Sequence, residues 1–314
     1  MIYALISAWL VTTVLMIYEQ KIARIIIYLA IFSLLSSAVY LMLGSPDVAM
    51  AEAATSAFTT VFFIVCLEKY FSVPDSSATT RHGSLAIRVI KIILPAAFVI
   101  FLFGMFIYIS PSDTAALHYL RVLYISRFMY DVGGENAVTA IYLGYRVYDT
   151  LFEALVLVIS VVAVVHMSHS RKMLVRGGKH SEIERDGMAV FAIQIICPVM
   201  LLFGIYLIFN GHISPGGGFQ GGLAIAAFFI CRYMIYDVYD LPIRKLEKLE
   251  DFVFAGIILV AVVIIFFGLA EIAPPQVRAV FQTVYLVAMN ALIGLKVTCG
   301  FIILFYRYIA VERK

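Results

Sequence analysis

The chain holds 314 residues, 63% apolar and 14% charged, with a net charge of +3. An ordinary soluble domain carries about 25% charged residues, so a mean hydropathy of +1.00 excludes a water-soluble globular protein and a disordered one alike. The 23 basic residues form no concentrated basic face, which disfavours nucleic-acid binding. What remains is an all-α, multi-pass protein of the cell membrane.

Apolar runs near the ~20 residues needed to cross a bilayer occur at Ile2–Tyr18, Ile25–Leu43, Asp47–Leu67, Val89–Ile109, Tyr148–His166, Met188–Phe209, Phe219–Tyr236, Phe252–Ala270 and Val280–Tyr306. They predict about nine spans. The first run lacks the basic start and A-x-A site of a cleaved signal and is read as a span. Between the fourth and fifth runs, His118–Phe128 has amphipathic helical spacing, with Arg121 and Arg127 among apolar residues; this predicts a helix lying along the interface. Asn136–Tyr145 is too short to span and leads into the fifth helix.

With the N-terminus outside and the C-terminus cytoplasmic, the connections on the cytoplasmic side carry eighteen Lys and Arg. The outer ones carry four: Arg121, Arg127, Arg146 and Arg278. That bias follows the positive-inside rule and requires an odd number of spans. Polar stretches at Pro74–Gly83 and His169–Arg185 divide the chain into modules at 1–73 (three helices), 84–168 (two helices and the interfacial helix) and 186–314 (four helices). Cys66, Cys197, Cys231 and Cys299 sit in apolar runs without a C-x-x-C pair, so they read as small packing residues and not as cluster or zinc ligands.

Ionisable residues inside a span cost about 2.5–3.5 kcal/mol each on the insertion scale and mark function by default. The third span begins Ser45-Pro46-Asp47, where Asp47 serves equally as a helix cap or as an ion-path residue. Glu52 lies more than a turn inside, with Thr55, Ser56 and Thr59 following on its face; proton or sodium passage and a plain interhelical hydrogen bond both fit. In the fifth span Arg146, Asp149 and Glu153 form a one-face cluster. Two close carboxylates resist joint ionisation, which suits a proton relay or a hard-cation site, although an Arg146–Asp149 pair could merely fix the start of the helix. In the ninth span Lys296 is about 15 Å from the span's end, too far to snorkel easily, so a buried partner or a water-filled channel is expected.

The segment Asn210-Gly-His-Ile-Ser-Pro-Gly216-Gly217-Gly218-Phe-Gln220-Gly221-Gly222 contains G-x-G-x-x-G. No βαβ unit surrounds it, so it is not a dinucleotide site. Its glycines indicate backbone packed against a partner chain or bent back into the membrane. His212 is a proton-relay candidate or a backbone-bonded loop histidine. No hydrolase arrangement such as H-E-x-x-H is present.

Gly211–Gly222, followed by Asn290-Ala-Leu-Ile-Gly-Leu-Lys-Val, resembles the MrpB component of Mrp-type multisubunit sodium/proton antiporters and its counterpart in membrane-bound hydrogenases, MbhF. Glu135–Glu153 resembles the C-terminal part of the antiporter component MrpA, matching the hydrogenase component MbhE. Ser45–Ala53 resembles the preceding part of MrpA, matching MbhD. The resemblance covers nearly the whole chain as an MbhD–MbhE–MbhF fusion, without the large antiporter domain that precedes these segments in MrpA. Glu52 and Ser56 also depart from the antiporter pattern towards the hydrogenase one.

The resemblance implies an ion-translocating membrane subunit of a redox-driven Na⁺/H⁺ pumping complex. The alternatives are a component of an Mrp-type antiporter, or a structural scaffold through which no ion passes. It implies partners that include antiporter-like proteins related to those of complex I. No cofactor is expected in this chain beyond bound Na⁺ near Glu52 or near Asp149 and Glu153, and any iron–sulfur or nickel–iron centres would lie in partner subunits. Glu52, Asp149 and Glu153 become the ion-path candidates, with Asp47, Arg146, Lys296 and His212 behind them.

Overall fold

The computed structural model describes residues 2–71, 114–169, 187–236, 242–267 and 277–310, with isolated positions at 97, 101, 104 and 274. The fourth apolar run, Val89–Ile109, and the polar linkers Pro74–Gly83 and His169–Arg185 lie essentially outside them. The regular elements among the described residues are all helical: α1 (Ile2–Tyr18), α2 (Ile22–Met42), α3 (Pro46–Phe71), α4 (Thr114–Asp131), α5 (Ala137–Ala140), a π-turn (Ile141–Tyr145), α6 (Val147–His169), α7 (Gly187–Asn210), α8 (Gly218–Tyr236), α9 (Ile243–Phe267) and α10 (Arg278–Ala310). Among them α2, α3, α6, α7, α9 and α10 are long and apolar enough to cross a membrane. The protein is therefore a polytopic helical membrane protein. Residues 1–72 and 127–314 form one compact unit; residues 73–126 form a second, to which most of α4 belongs.

Local chemistry sets the helix ends. Between α1 and α2 the Glu19 carboxylate accepts from the backbone N–H groups of Lys21 and Gln20 and from Arg24. The Lys21 hydrogen bond leads in holding its pKa below the usual carboxylate value. Gly44, at φ +74°, ends α2 in the left-handed conformation that glycine adopts without a Cβ clash. The Ser45 N–H then reaches back to the Tyr40 carbonyl at 3.0 Å, a Schellman closure. Pro46 and Asp47 follow as the first turn of α3. Polar threads tie the first three helices together: Trp9 Nε1 donates to Ser36 Oγ at 2.8 Å, and Ser37 Oγ donates to the Ala49 carbonyl at 2.7 Å.

The core is built around α8, with Leu223, Ala226, Ala227 and Ile230 almost fully enclosed. Two glycine faces let its neighbours approach closely. A Cβ on Gly221 would lie 2.5 Å from the Gly204 carbonyl of α7, and one on Gly222 would lie 2.6 Å from the Gly294 carbonyl of α10. In lipid, helix association rests on such close packing and on interhelical hydrogen bonds. Thr298 Oγ1 bridges this contact, donating to the carbonyls of Gly294 (2.8 Å) and Gly222 (3.1 Å).

The chain from Asn136 to His169 is a broken helix. Asn136 caps α5 by accepting from the Val138 and Thr139 N–H groups. The π-turn then shifts the backbone register before α6. Its loosened carbonyls keep partners: Thr150 Oγ1 donates to Tyr142 O at 2.7 Å and Tyr285 OH donates to Leu143 O at 2.6 Å. Such turns cluster at functional positions.

Gly222→Ala is predicted to destabilise the chain by about 1–3 kcal/mol through overpacking, read as a lower melting temperature in detergent. Gly187→Ala, where a Cβ meets nothing within 4 Å, should leave the melting temperature unchanged.

Candidate functional site

Two polar centres lie within the apolar helices. The first is built by the glycine-rich segment between α7 and α8, whose non-helical backbone must find hydrogen-bond partners inside the protein. Asn136 Nδ2 donates to the carbonyls of Gly211 (3.2 Å) and Ser214 (3.1 Å) and to Asp47 Oδ1 (2.9 Å). The N–H groups of Glu135 and Asn136 both reach the His212 carbonyl, at 2.8 and 3.0 Å. Thr139 Oγ1 donates to Gly211 O at 2.6 Å, while Tyr142 OH and the Gly218 N–H each donate to Asn290 Oδ1 at 3.1 Å. Asp47 also accepts from the Gly216 N–H at 3.4 Å. A Cβ on Gly217, which has φ +146°, would lie 2.5 Å from the Tyr142 hydroxyl.

The glycine-rich segment is thus docked on its own chain, against α3, α5, the π-turn and α10. Asp47, nine-tenths buried, is an acceptor within that dock. Gln220 lies beside it, with Oε1 3.0 Å from the Cβ position of Gly217. The His212 ring is bonded to the Phe209 carbonyl at 3.0 Å, which is the backbone-bonded arrangement of the two read from sequence.

The second centre joins α6, α9 and α10. Lys296, 1% exposed, forms an ion pair with Glu250, 2% exposed, and stands over the Phe254 ring with Nζ 5.4 Å from its centroid. Lys296 also lines a small cavity of ≈ 20 Å³ together with Glu153, Thr150, Phe219, Ile257 and Ile293. Of its two charged lining residues, Glu153 is exposed and Lys296 enclosed. A carboxylate and an ammonium thus border one cavity between helices, and the buried partner expected for Lys296 is present.

The other expected residues fall outside these two centres. Arg146 and Asp149 pair at 2.6 Å with both side chains more than half exposed. The one-face cluster therefore divides, Asp149 being held by Arg146 while Glu153 borders the cavity. Glu52 is half-buried on α3. The hydroxyls behind it donate within their own helix, Thr55 to Ala51 O at 2.8 Å and Thr59 to Thr55 O at 2.9 Å, which leaves their oxygens as acceptors. Among the described residues no group of three or more His, Cys, Asp or Glu side chains gathers as a metal site.

Glu250, Asn136, Thr139 and Tyr142 are the residues that sequence reasoning missed. Glu250 lies in the charged run Arg244–Asp251, just before the expected start of the eighth span at Phe252, whereas α9 begins at Ile243. Its spacing to the buried Val253, Ile257, Ala261 and Ile264 is helical and would have placed it on the inner face.

The family described as a domain related to the MnhB subunit of Na⁺/H⁺ antiporters matches residues 188–303, and the MbhD family of membrane-bound hydrogenase (MBH) components matches residues 7–71. The chain resembles a fused subunit of the membrane-bound hydrogenase and Mrp antiporter type. An uncharacterized protein of Methanocaldococcus jannaschii is 27% identical over 66% of this chain and 88% of its own length. A chain described as putative antiporter subunit mnhB2 of Staphylococcus haemolyticus is 37% identical over 27% of this chain and 62% of its own. In fold, the chain is similar to part of the Mrp complex of Dietzia sp. DQ12-45-1b, with a TM-score of 0.66 and 20% identity over 95% of this chain and 34% of that one. It is also similar to a chain of the archaeal membrane-bound sulfane sulfur reductase, with a TM-score of 0.54 and 23% identity over 71% of this chain and 98% of that one. The MbhD match contains Asp47 and Glu52; the MnhB-related match contains the glycine-rich segment, Glu250 and Lys296.

Asn136→Ala removes the donor shared by Asp47 and two carbonyls and is predicted to cost about 1–3 kcal/mol. Asn136→Asp should cost more, because it places a second carboxylate against Asp47. Hydrogen exchange at 211–218 reads both, and equal protection in all three proteins would contradict the docking role.

Proposed function

We propose that the chain is an ion-translocating membrane subunit of a multisubunit, redox-driven complex of the membrane-bound hydrogenase type, moving Na⁺ or H⁺ past its membrane-embedded carboxylates. The observation that carries this reading is the cavity between α6 and α10, bordered by Glu153 and by the Lys296 of a buried ion pair. Charged groups at such depth are costly and mark ion pathways. Glu153 is the principal ion-path residue, with Glu52 on α3 and Asp149 beside Arg146 as further members; sodium is cargo near Glu52 or near Asp149 and Glu153. Asp47 and His212 serve the docking of the glycine-rich segment.

The finer arrangement follows the sequence: nine spans with the N-terminus outside and the C-terminus cytoplasmic, in modules 1–73, 84–168 and 186–314. Antiporter-like proteins related to those of complex I and the lipid bilayer surround it. Iron–sulfur or nickel–iron centres belong to partner subunits and none to this chain. The redox-driven form is supported by the MbhD match and by the likeness to a chain of a sulfane sulfur reductase. A second reading, a component of an Mrp-type antiporter, is supported by the MnhB-related match and the mnhB2 relative.

Metal analysis of the complex, purified gently through a tag on this chain, separates the two. Abundant iron is expected. An intact complex without iron but with sodium-dependent proton flux would replace the redox reading by the antiporter. In vesicles, Glu52→Gln and Glu153→Gln are each predicted to abolish pumping while the complex still assembles. Unchanged transport per assembled complex in both variants would reduce the chain to a scaffold.

A further inference from the structure

The buried Lys296–Glu250 pair has a weak structural justification. Desolvating two charges offsets most of their attraction, and apolar replacements of such pairs are often neutral or stabilising. Its surroundings point elsewhere. Lys296 is faced by Glu250 and the Phe254 ring from α9 and by Glu153 and Thr150 across the cavity from α6, with Cys299 beside it on α10. Two enclosed charges, Glu250 and Lys296, with the Glu153 carboxylate at the outer side of the cavity, leave one negative charge in excess. The set becomes neutral when one carboxyl carries a proton. That proton has two sites, and both give the same net charge.

We propose that Lys296 exchanges partners across this cavity, between Glu250 and Glu153, which makes Glu250 the inner proton acceptor of the ion path. In one state Glu153 holds the proton and Lys296 pairs with Glu250, the pairing present in the structure. In the other the O–H bond of Glu153 is broken, one on Glu250 is formed, and the ammonium pairs with the Glu153 carboxylate. One proton moves from the exposed carboxyl to the enclosed one while one ammonium moves the opposite way. The sum of charges stays at zero. This inference rests on the ion-translocation reading and assigns that reading a residue and a step.

The test uses the intact complex in sealed vesicles. The double variant Glu250→Gln/Lys296→Met removes both charges together and is expected to assemble, while proton flux per complex falls by ~100-fold or more, the scale of a lost proton-transfer group. Glu247→Gln is the matched control, since its partner Arg307 lies on the same two helices, at 2.7 Å; its flux should be unchanged. Beside these, infrared difference spectra of Glu250→Gln alone read the proton directly. A protonated-carboxyl band that appears in the unaltered complex under a proton gradient should be missing. Unaltered flux in an assembled double variant overturns the exchange, as does persistence of that band in Glu250→Gln, and either leaves the translocation reading standing. Absence of ion flux in the unaltered complex overturns that reading, and the exchange with it.

Discussion

The architecture depends on satisfying a stretch of non-helical backbone placed among membrane-crossing helices. Between Asn210 and Gly218 the carbonyls of Gly211, His212 and Ser214 take their hydrogen bonds from residues more than seventy positions away in sequence, on Asn136, Thr139 and the Glu135–Asn136 backbone. Buried backbone groups need hydrogen-bond partners, and here other parts of the chain supply them. The absence of side chains at Gly217, Gly218 and Gly222 lets Tyr142 and α10 close over the segment. That closure sets Asn290 against the start of α8. Six residues further along α10 stands Lys296, and the π-turn that carries Tyr142 leads into α6 and Glu153. The dock and the cavity are thus two consequences of one arrangement.

The two polar centres differ in how their charges are balanced. Asp47 is buried and receives amide donors from Asn136 and Gly216, so it is met by fixed dipoles. Lys296 and Glu250 are met by each other and by a cavity that a further carboxylate shares. Fixed dipoles favour one state. A shared counter-ion permits two.

Much of this was legible in the sequence. The apolar runs give the helices, the Ser-Pro-Asp start gives the beginning of α3, and the depth of Lys296 requires a buried partner. The partner itself was hidden. Glu250 stands among Arg244, Lys245, Glu247, Lys248 and Asp251, a composition that looks like a solvated connection, and only its spacing to Val253 and Ile257 carries the inward face. The docking of Gly211–Gly218 on its own chain joins Asp47, Asn136 and Asn290 across long sequence separations. No periodicity encodes such contacts.

The most direct test of the central claim, that ions pass at the Glu153 cavity, is labelling of the unaltered complex with an apolar carbodiimide, which attacks protonated carboxyls within membranes. Glu153 modification is quantified by mass spectrometry against transport in the same vesicles. Transport is expected to decline in proportion to the fraction of Glu153 modified, and sodium or alkaline conditions to protect both together. Complete modification of Glu153 with transport intact would contradict the claim.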